Sequence, residues 1–280
     1  EKVLRGLVLI ISKKNEVHLR VKTEPNYARE LSDFFTFEVP GARFMPTYKN
    51  RIWDGKIRLY SVASNEIYVG LLPYIEEFAK RNEIDIEYKE GVLNERKYEN
   101  NELDRFVGRV SPKSKGKTLQ IRDYQMAAFT HAVRNDRSLL LSPTASGKSL
   151  IIYLLTRWYE SDRVLILVPT TSLVEQMYSD FVDYGYDEKM MQRIYQGHSR
   201  EITNQVVIST WQSLYKMPKK FFDNFGCILG DEVHLFKAKS LTNIMNKSQQ
   251  CVHRHGFTGT LDGTQTHLSL IHISEPTRPY

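Results

Sequence analysis

The sequence has very little cysteine and no long apolar run. Its 280 residues include only two cysteines, Cys227 and Cys251, which fit neither a metal-binding spacing nor a disulfide framework. We therefore expect two buried thiols in a reducing cytoplasm. No apolar run reaches the about 20 residues that a membrane-spanning helix requires, so we expect no membrane partner.

The amino terminus also lacks the pattern of a signal peptide. A short apolar run over residues 7–11 is followed by Lys13 and Lys14, without a small-residue cleavage site. The first residue is Glu1 rather than Met, so we expect the natural start to lie upstream. Lysine and arginine outnumber the acids, 39 to 33, which gives a net charge of +6. This charge permits a polyanionic partner.

The first third of the chain mixes short β-branched and aromatic runs with helical patterns around residues 26–37 and 73–82. This mixture predicts a small α+β domain over residues 1–90. Residues 91–118 are polar and charged with few apolar anchors, which predicts a linker. The end of this segment is basic, and we interpret it either as solvated surface or as a nucleic-acid contact.

From residue 119 onward, continuous apolar runs alternate with helical stretches. The runs are SLLLS, RVLILVP, QVVIST, CILGDE and HGFTGT. Such runs are typical of strands buried on both faces, and their alternation with helices predicts a parallel α/β sheet over residues 119–263. Ligands of such sheets bind at the carboxyl ends of the strands, where the polar motifs of this region lie.

One of these runs leads into a phosphate-binding loop. Residues 139–155 are LLLSPTASGKSLIIYLL, a strand, a polar turn and a helix. In such a turn the backbone N–H groups bind phosphates, and Gly147 permits the tight turn. Lys148 supplies charge to the β- and γ-phosphates, and Ser149 offers a hydroxyl to Mg²⁺. The usual pattern has Gly where this chain has Ser142, so the loop alone does not establish a nucleotide site.

A second motif supplies two acids. The run CILGDEVH, residues 227–234, ends its apolar part at Asp231 and Glu232. We expect Asp231 to hold the Mg²⁺ shell and Glu232 to polarise the attacking water. Acids after a strand also serve as helix N-caps, and the motif by itself favours that role. Loop and acids together predict hydrolysis of ATP with bound Mg²⁺, with Lys148, Asp231 and Glu232 as the catalytic residues.

The sequence at this point resembles the DExH helicases of superfamily 2, in the part that forms a RecA-like first motor lobe. The motifs occur in the family's order and spacing, at residues 121–125 (IRDYQ), 142–149 (SPTASGKS), 168–171 (VPTT), 209–212 (STWQ), 231–234 (DEVH) and 258–260 (TGT). A small residue followed by Pro-Thr often opens the loop in that family, so Ser142 fits the pattern. Ala145 replaces a common Gly.

The resemblance implies further site residues. Gln125 is the expected adenine reader. Nucleotide contacts are expected from Arg122, Tyr124, Gln125, Pro143, Thr144, Ala145, Ser146, Gly147, Lys148 and Ser149. Residues expected to couple the γ-phosphate to nucleic-acid binding are His234, Thr258 and Thr260. Without the family, Tyr124 and Gln125 are ordinary helix-start residues and Thr-Gly-Thr is a turn.

The resemblance also places one nucleic-acid strand across the top of the sheet, where the protein contacts its phosphates. The expected contacts follow two of the strands, at Pro169, Thr170, Thr171, Thr210, Trp211 and Gln212. The alternative is that these residues cap helices and pack in the core.

A basic segment in the first domain, residues 40–61, interleaves cations with aromatic residues. Its cations are Arg43, Lys49, Arg51, Lys56 and Arg58. This combination predicts a DNA-binding face. The alternative is a hairpin that turns at Asp54-Gly55, with Trp53 in the core and the charges exposed.

The Trp-Asp-Gly segment joined to a DExH lobe is similar to the UvsW-type helicases of tailed phages, over residues 1–263. The resemblance implies a DNA-dependent ATPase and helicase that unwinds, migrates and anneals branched DNA in recombination, replication and repair. We expect a monomer, although the sequence alone does not settle the oligomeric state. The implied partners are branched DNA or single-strand/duplex junctions, with RNA left open. The implied location is the cytoplasm, that of the host if a phage encodes the protein.

No second motor lobe follows residue 260, so we expect the chain to be inactive alone. Residues 264–280 resemble a translated sequencing adapter, which predicts a foreign, unstructured tail. Two other functions stay open. A translocase subunit of a restriction system predicts a nuclease domain or long extensions. A DNA-binding module with a vestigial ATP site predicts loss of Lys148, Asp231 or Glu232, and all three are present.

Overall fold

The computed structural model describes residues 8–39, 41–93, 98–143, 146–236, 238–259 and 276–277. The chain divides into two compact units, Glu1–Asn94 and Glu95–Tyr280. Three expected site residues, Thr144, Ala145 and Thr260, lie outside the described residues. Among the helices of these ranges, none combines the length and apolarity that a bilayer crossing requires.

The first unit is a small α+β domain, as the sequence predicts. Its elements are β1 (Val8–Lys13), β2 (His18–Lys22), α1 (Pro25–Phe34), β3 (Thr36–Glu38), α2 (Pro46–Lys49), β4 (Lys56–Arg58), β5 (Glu66–Tyr68), α3 (Leu72–Arg81) and β6 (Asp85–Tyr88). β1 pairs antiparallel with β2 and parallel with β6, and β5 extends the sheet beyond β2. Alternate residues of β1 and β2 are fully buried, so one face of this sheet carries the core.

The basic segment of this unit does not form a tight hairpin. β3 and β4 pair antiparallel, but residues 39–55 connect them and contain α2. Pro46 at the first turn of α2 favours the helical conformation, which lengthens the connection. Trp53 is half-buried rather than part of the core, and its Nε1 donates to the Lys56 carbonyl oxygen at 2.9 Å.

The second unit is a parallel α/β lobe. Its elements are α4 (Asn100–Val110), β7 (Lys113–Ser114), β8 (Lys117–Thr118), α5 (Asp123–Arg134), β9 (Arg137–Leu141), α6 (Lys148–Trp158), β10 (Val164–Val168), α7 (Thr171–Tyr184), β11 (Met191–Ile194), β12 (Val206–Thr210), α8 (Trp211–Leu214), α9 (Lys219–Phe222), β13 (Cys227–Gly230), α10 (Ala238–Lys247), β14 (His253–Thr258) and β15 (Pro276–Thr277).

Within the described residues, seven strands form the sheet of this unit, in the order β11-β12-β10-β13-β14-β9-β15, and each neighbouring pair is parallel. Every residue of β10, β12 and β13 is buried, because helices cover both faces of a parallel sheet. The predicted fold class is confirmed. Since all strands run the same way, the loops after β9, β10, β12, β13 and β14 meet at one edge of the sheet.

Where the sequence predicts a charged linker over residues 91–118, the structure has α4 and a small hairpin of β7 and β8. Leu103 of α4 is fully buried in the core of the second unit, and the Phe106 ring stacks on Phe129 with centroids 5.8 Å apart. The hairpin is held by Asp183 of α7, which accepts from Ser114 Oγ at 2.7 Å and from the Lys115 N–H at 2.8 Å. A few apolar anchors are enough to attach this polar segment to the lobe.

The predicted unstructured tail also differs at its described residues. Pro276 and Thr277 form β15, which pairs parallel with β9. Without β15, β9 would be an edge strand with unpaired backbone N–H and C=O groups, and an added strand satisfies such groups whatever its side chains are. The rest of the predicted tail lies outside the described residues.

Candidate functional site

The phosphate-binding loop connects β9 to α6. Gly147 is the N-cap of α6 with φ +79°, a left-handed conformation that glycine adopts without a steric penalty. Ser142, at the position usually held by Gly, places its Oγ 2.5 Å from Ser146 Oγ. The two hydroxyls thus join the start and the end of the loop. The departure from the usual pattern therefore has a structural role in this chain.

The helix before β9 fixes the same loop. The Arg122 N–H donates to Gln125 Oε1 at 3.0 Å, and Gln125 Nε2 donates to the Ser146 carbonyl oxygen at 3.0 Å. The Tyr124 hydroxyl donates to the same carbonyl at 2.9 Å. Tyr124 and Gln125 therefore contact the loop directly, and Arg122 bonds to both of them. The assignment of Gln125 as adenine reader stays a prediction, since its amide is bound to the loop backbone and nearly buried here.

The acid pair meets the loop lysine. Lys148 Nζ lies 2.6 Å from Glu232 Oε1, and both side chains are largely shielded from solvent. Asp231 Oδ1 accepts from the Glu232 N–H at 2.9 Å. Burial, and then the charge of Glu232, raise the pKa of Asp231 to about 6. A divalent cation would counter this accumulation of negative charge, so the site has the electrostatic character of a metal site.

The acid pair is also connected to the end of β14. His234 Nδ1 lies 3.4 Å from Glu232 Oε2 and 2.8 Å from Thr258 Oγ1. Glu232 itself has φ +48°, a left-handed conformation that is unusual for a residue with a side chain. A chain of contacts therefore runs from Lys148 through Glu232 and His234 to Thr258.

A cavity of about 300 Å³ opens beside these groups. Its lining residues are Gly147, Lys148, Ser149, Leu173, Gln176, Met177, Asp180, Asp231 and Glu232. Ser149 Oγ lies 2.9 Å from the hydroxyl of Tyr184, at the end of α7. Sequence reasoning did not identify Asp180 or Tyr184. Both lie on one face of α7, four residues apart, but this spacing alone does not distinguish a side chain that faces a cavity from one that faces water.

The residues after β10 and β12 mostly bond to one another. Thr170 caps α7 by accepting from the Leu173 N–H at 3.3 Å, and Gln212 Nε2 donates to the Pro169 carbonyl oxygen at 3.0 Å. Trp211 is 6% exposed and packs in the core of this side of the sheet. Its ring is therefore a core side chain in this structure.

The remaining two residues of this predicted set stand at the same edge of the sheet. Thr210 Oγ1 lies 2.8 Å from Ser213 Oγ, and Thr210 is nearly buried. Thr171 is the first residue of α7 and is exposed. The predicted nucleic-acid residues of the lobe thus lie at one edge of the sheet. Most of them cap a helix or form hydrogen bonds within and between the loops there.

The basic segment of the first unit surrounds an open cavity of about 860 Å³. Its lining residues are Arg43, Tyr48, Lys49, Arg51, Ile52, Trp53, Asp54 and Arg58. Two of the predicted DNA-binding cations already have acidic partners: Arg58 pairs with Asp54 at 2.5 Å, and Lys56 lies 3.9 Å from Glu38. The structure therefore brings four of the five predicted cations together around this cavity, whereas Lys56 is exposed but is not among its lining residues.

A parallel sheet with a phosphate-binding loop after β9, an acid pair after β13 and a linked threonine after β14 defines a P-loop motor lobe of the superfamily 2 helicase class. Two protein-family profiles match the chain. Residues 118–263 match the family described as type III restriction enzyme, res subunit. Residues 11–89 match the amino-terminal domain of DNA helicase UvsW.

Individual relatives agree with these profiles. The chain is 34% identical over 256 residues to the ATP-dependent DNA helicase uvsW of Enterobacteria phage T4, which covers 87% of this chain and 50% of that protein. A crystal structure of the UvsW helicase from bacteriophage T4 superposes with a TM-score of 0.88 at 31% identity, covering 97% of this chain and 99% of that chain. A second crystal structure of T4 UvsW gives a TM-score of 0.89 at 30% identity, covering 97% and 57%.

The chain belongs to the UvsW family of superfamily 2 helicases, as the sequence motifs predict. It spans half the length of the curated relative that it matches. The match of the first unit to the UvsW amino-terminal domain favours this family over a subunit of a restriction system.

Proposed function

We propose that this chain contains the ATP-hydrolysing lobe and a DNA-contacting domain of a helicase that remodels branched DNA in recombination, replication and repair. The observation that carries the proposal is the ion pair of Lys148 with Glu232, beside a cavity that Asp231 also lines. A lysine at a helix N-terminus next to two acids is suited to a nucleotide with its metal ion.

The residues of the cavity fit ATP and Mg²⁺. The N-terminus of α6 and the Lys148 ammonium group provide positive charge for phosphates. The Ser149 hydroxyl and the Asp231 carboxyl group provide the oxygen ligands that Mg²⁺ prefers. When bound, Mg²⁺ neutralises charge on the phosphate oxygens. Desolvation raises the pKa of Asp231, which disfavours its charged form. A cation nearby would stabilise that charged form.

Glu232 changes its partner during the proposed reaction. In this structure the Lys148 ammonium group lies 2.6 Å from its carboxylate. The phosphates of ATP attract Lys148 more strongly, and Glu232 is then free to accept a proton from the attacking water. His234 contacts Glu232, and Thr258 contacts His234. A movement of Glu232 would therefore displace His234 and, through it, Thr258 at the end of β14.

Two variants and a matched control test this assignment. The chain itself should bind ATP with little turnover, because arginines of a second lobe complete the γ-phosphate site in such motors. ATP turnover is therefore measured in the full-length protein. ATP binding and DNA binding are measured both in the full-length protein and in this chain. Lys148→Ala should abolish ATPase activity and leave DNA binding largely intact. Glu232→Gln should retain ATP but stop hydrolysis, because an amide does not accept the water's proton.

Lys220→Ala, which removes an exposed lysine of α9, is the matched control and should behave as the wild type. Normal turnover in Lys148→Ala would refute the phosphate site. Normal turnover in Glu232→Gln would show that another group is the base.

DNA is proposed to cross the edge of the sheet where the loops after β10 and β12 meet. Thr170, Thr171 and Gln212 offer polar groups there, and Trp211 supports the loop from within the core. Contacts of this kind bind phosphates without selecting bases.

The basic segment of the first unit is proposed to add affinity for the duplex or branched part of the DNA. Each phosphate neutralised adds about 0.9 to the slope of log affinity against log salt on B-form DNA. Replacing Lys49, Arg51, Lys56 and Arg58 by Ala should therefore lower that slope by up to about 3 if most of these four cations touch phosphates. Trp53 stays unchanged, because its bond to Lys56 orders the connection.

The charge-matched control for this experiment removes four exposed cations elsewhere in the same unit: Lys22, Arg29, Lys80 and Arg81. It should leave the slope near that of the wild type. Equal slopes for both quadruple variants would mean that only net charge matters and that the basic segment is a solvated face.

We further propose that the protein acts as a monomer, in the cytoplasm of a phage-infected host. Branched substrates and single-strand/duplex junctions are the proposed targets, and competition between DNA and RNA of one sequence tests the preference. Sedimentation of the protein with and without a forked substrate tests the monomeric state. A dimer on the fork would overturn it.

A further inference from the structure

The basic segment of the first unit exposes large apolar side chains as well as cations. Phe44 is 81% exposed and Ile52 is 76% exposed, the two highest values among the exposed large apolar side chains of the described residues. Met45, Tyr48 and Ile57 of the same segment are also exposed. Single exposed apolar residues are common on protein surfaces, whereas a group of them within one short segment indicates a binding surface.

The backbone around Phe44 and Ile52 is ordered by hydrogen bonds. The Phe44 N–H donates to the Gly41 carbonyl oxygen at 3.0 Å, and the Ile52 N–H donates to the Thr47 carbonyl oxygen at 2.9 Å. Arg51, directly before Ile52, has φ +55°, a left-handed conformation that few residues with a side chain adopt. Such conformations are concentrated at binding sites. Phe44 and Ile52 are therefore presented to solvent by a hydrogen-bonded connection.

Positive charge surrounds these apolar side chains. Phe44 lines a cavity of about 310 Å³, and Ile52 lines the larger cavity of about 860 Å³. Arg43 and Asp54 line both cavities, so the two adjoin. Asp54 already pairs with Arg58, and three further cations line the larger cavity. A ligand of this surface therefore meets apolar side chains beside positive charge.

Unpaired nucleotides carry both kinds of group that such a surface binds. Each unpaired base has a flat apolar face, and each nucleotide has a negative phosphate, so the two alternate along the whole strand. Inside a duplex the bases stack on one another, and their faces are covered. Open base faces occur in single strands, at duplex ends and at branch points. Apolar side chains such as Phe and Ile also insert between bases where a duplex is opened or kinked.

We propose that the basic segment binds the unpaired bases at the branch point of its DNA, with Phe44 stacked on a base, Ile52 packed beside it and the cations on the flanking phosphates. This inference rests on the proposed role of the segment in DNA binding, and it adds a reason for preferring branched over fully paired DNA. Stacking accepts every base, because every base has a π face. The contact therefore selects the structure of the DNA and not its sequence.

The test compares three DNAs of equal length: a blunt duplex, a fork with two single-stranded arms, and the same fork with abasic nucleotides in the arms next to the duplex. The abasic fork keeps every phosphate and lacks only the bases. Binding to this chain is measured by fluorescence anisotropy at several salt concentrations. Phe44→Ala should weaken binding of the normal fork by about 5- to 150-fold, the range for loss of one stacked base. Its affinity for the duplex and the abasic fork should equal that of the wild type.

The salt dependence and three further variants separate stacking from charge and from packing. Phe44 has no charge, so Phe44→Ala should keep the wild-type slope of log affinity against log salt. Phe44→Trp retains a stacking ring and should bind the fork as the wild type does. Ile52→Ala should lose less affinity than Phe44→Ala, because an aliphatic side chain packs on a base without stacking. Leu93→Ala, which removes an exposed apolar side chain outside the segment, is the matched control.

Unfolding midpoints are compared for all variants. The abasic fork decides the test should a variant unfold, because it removes the bases from the DNA and leaves the protein unchanged. Equal binding of the normal and the abasic fork by the wild type would overturn the inference.

Two other results would also overturn it. An equal loss of affinity in Phe44→Ala for the fork and the blunt duplex would show that unpaired bases are not involved. An unchanged affinity of Phe44→Ala for all three DNAs would leave a protein partner as the occupant of the apolar surface. The proposed DNA-contacting role fails in a different way, namely by equal salt slopes for the two quadruple cation variants.

Discussion

Gly147 is held in a position where even a methyl group does not fit. A Cβ at this residue would lie 2.4 Å from Gln125 Nε2, closer than any normal contact. The backbone there has φ +79°, which costs an L-residue about 1–2 kcal/mol. In Gly147→Ala, Gln125 must also move away from the Ser146 carbonyl oxygen, and the loss of a buried hydrogen bond costs about 1–3 kcal/mol. The expected fall in the free energy of unfolding is about 2–5 kcal/mol.

Gly116→Ala is the matched control. Gly116 has φ +76°, and no atom lies within 4 Å of an added Cβ. Gly116→Ala should lower the free energy of unfolding only by the penalty of the left-handed backbone conformation, about 1–2 kcal/mol. The assay is urea unfolding followed by tryptophan fluorescence in a Trp53→Phe background, so that Trp158 and Trp211 report on the second unit alone.

The loss of stability in Gly147→Ala should depend on the side chain of Gln125. In a Gln125→Ala background the clash is absent. Gly147→Ala should then lower the free energy of unfolding no more than Gly116→Ala does. An equal cost of Gly147→Ala in both backgrounds would show that Gln125 does not hold the loop. ATP binding should weaken in Gly147→Ala and remain unchanged in Gly116→Ala.

Three other predictions concern stability. Arg254 is fully buried and donates to three main-chain carbonyl oxygens, so Arg254→Met should lower the free energy of unfolding by about 3 kcal/mol or more in the same urea assay. Burial lowers the pKa of His255 to about 3, so the neutral ring contributes stability that is complete above pH 6.5 and is lost as the pH falls. Between pH 6.5 and 5 that loss is about 2 kcal/mol, at about 1.4 kcal/mol per unit, and His255→Gln should abolish it. Leu103→Ala should lower the free energy of unfolding by about 2–5 kcal/mol, because Leu103 is fully buried. Leu93→Ala, at an exposed position, should lower it far less. Equal losses of stability in thermal unfolding would contradict the packing of α4.

The sheet of the second unit could be predicted because its strands are continuous apolar runs. The run VLILV is β10 in full, and its five residues are completely buried. The edge strand β11 was not predicted, since MQRI has two half-exposed polar residues between its buried ends. Helix α4 was missed for a related reason: one buried leucine and its aromatic neighbours attach a helix that is otherwise polar.

The site could be predicted as far as the motifs extend. Lys148, Asp231 and Glu232 meet as expected, because strand ends of a parallel sheet gather at one edge. Asp180 could not be predicted, because an acid on an amphipathic helix has the same pattern whether it faces water or a cavity. It lines the nucleotide cavity because α7 packs on α6, a tertiary contact that the local sequence pattern does not contain.

The position of β9 in the sheet has a consequence for synthesis of the protein on the ribosome. Its described neighbours are β14 and β15, which both come from the far end of the chain. Arg137 is paired with Arg254, 254 − 137 = 117 residues later. At about 5–20 residues per second, β9 therefore waits about 6–23 s for its first partner. Asp231 and Glu232 are also made after β9, so the nucleotide site is among the last parts of the nascent lobe to be completed, and chaperones that shield apolar strands have that interval in which to act.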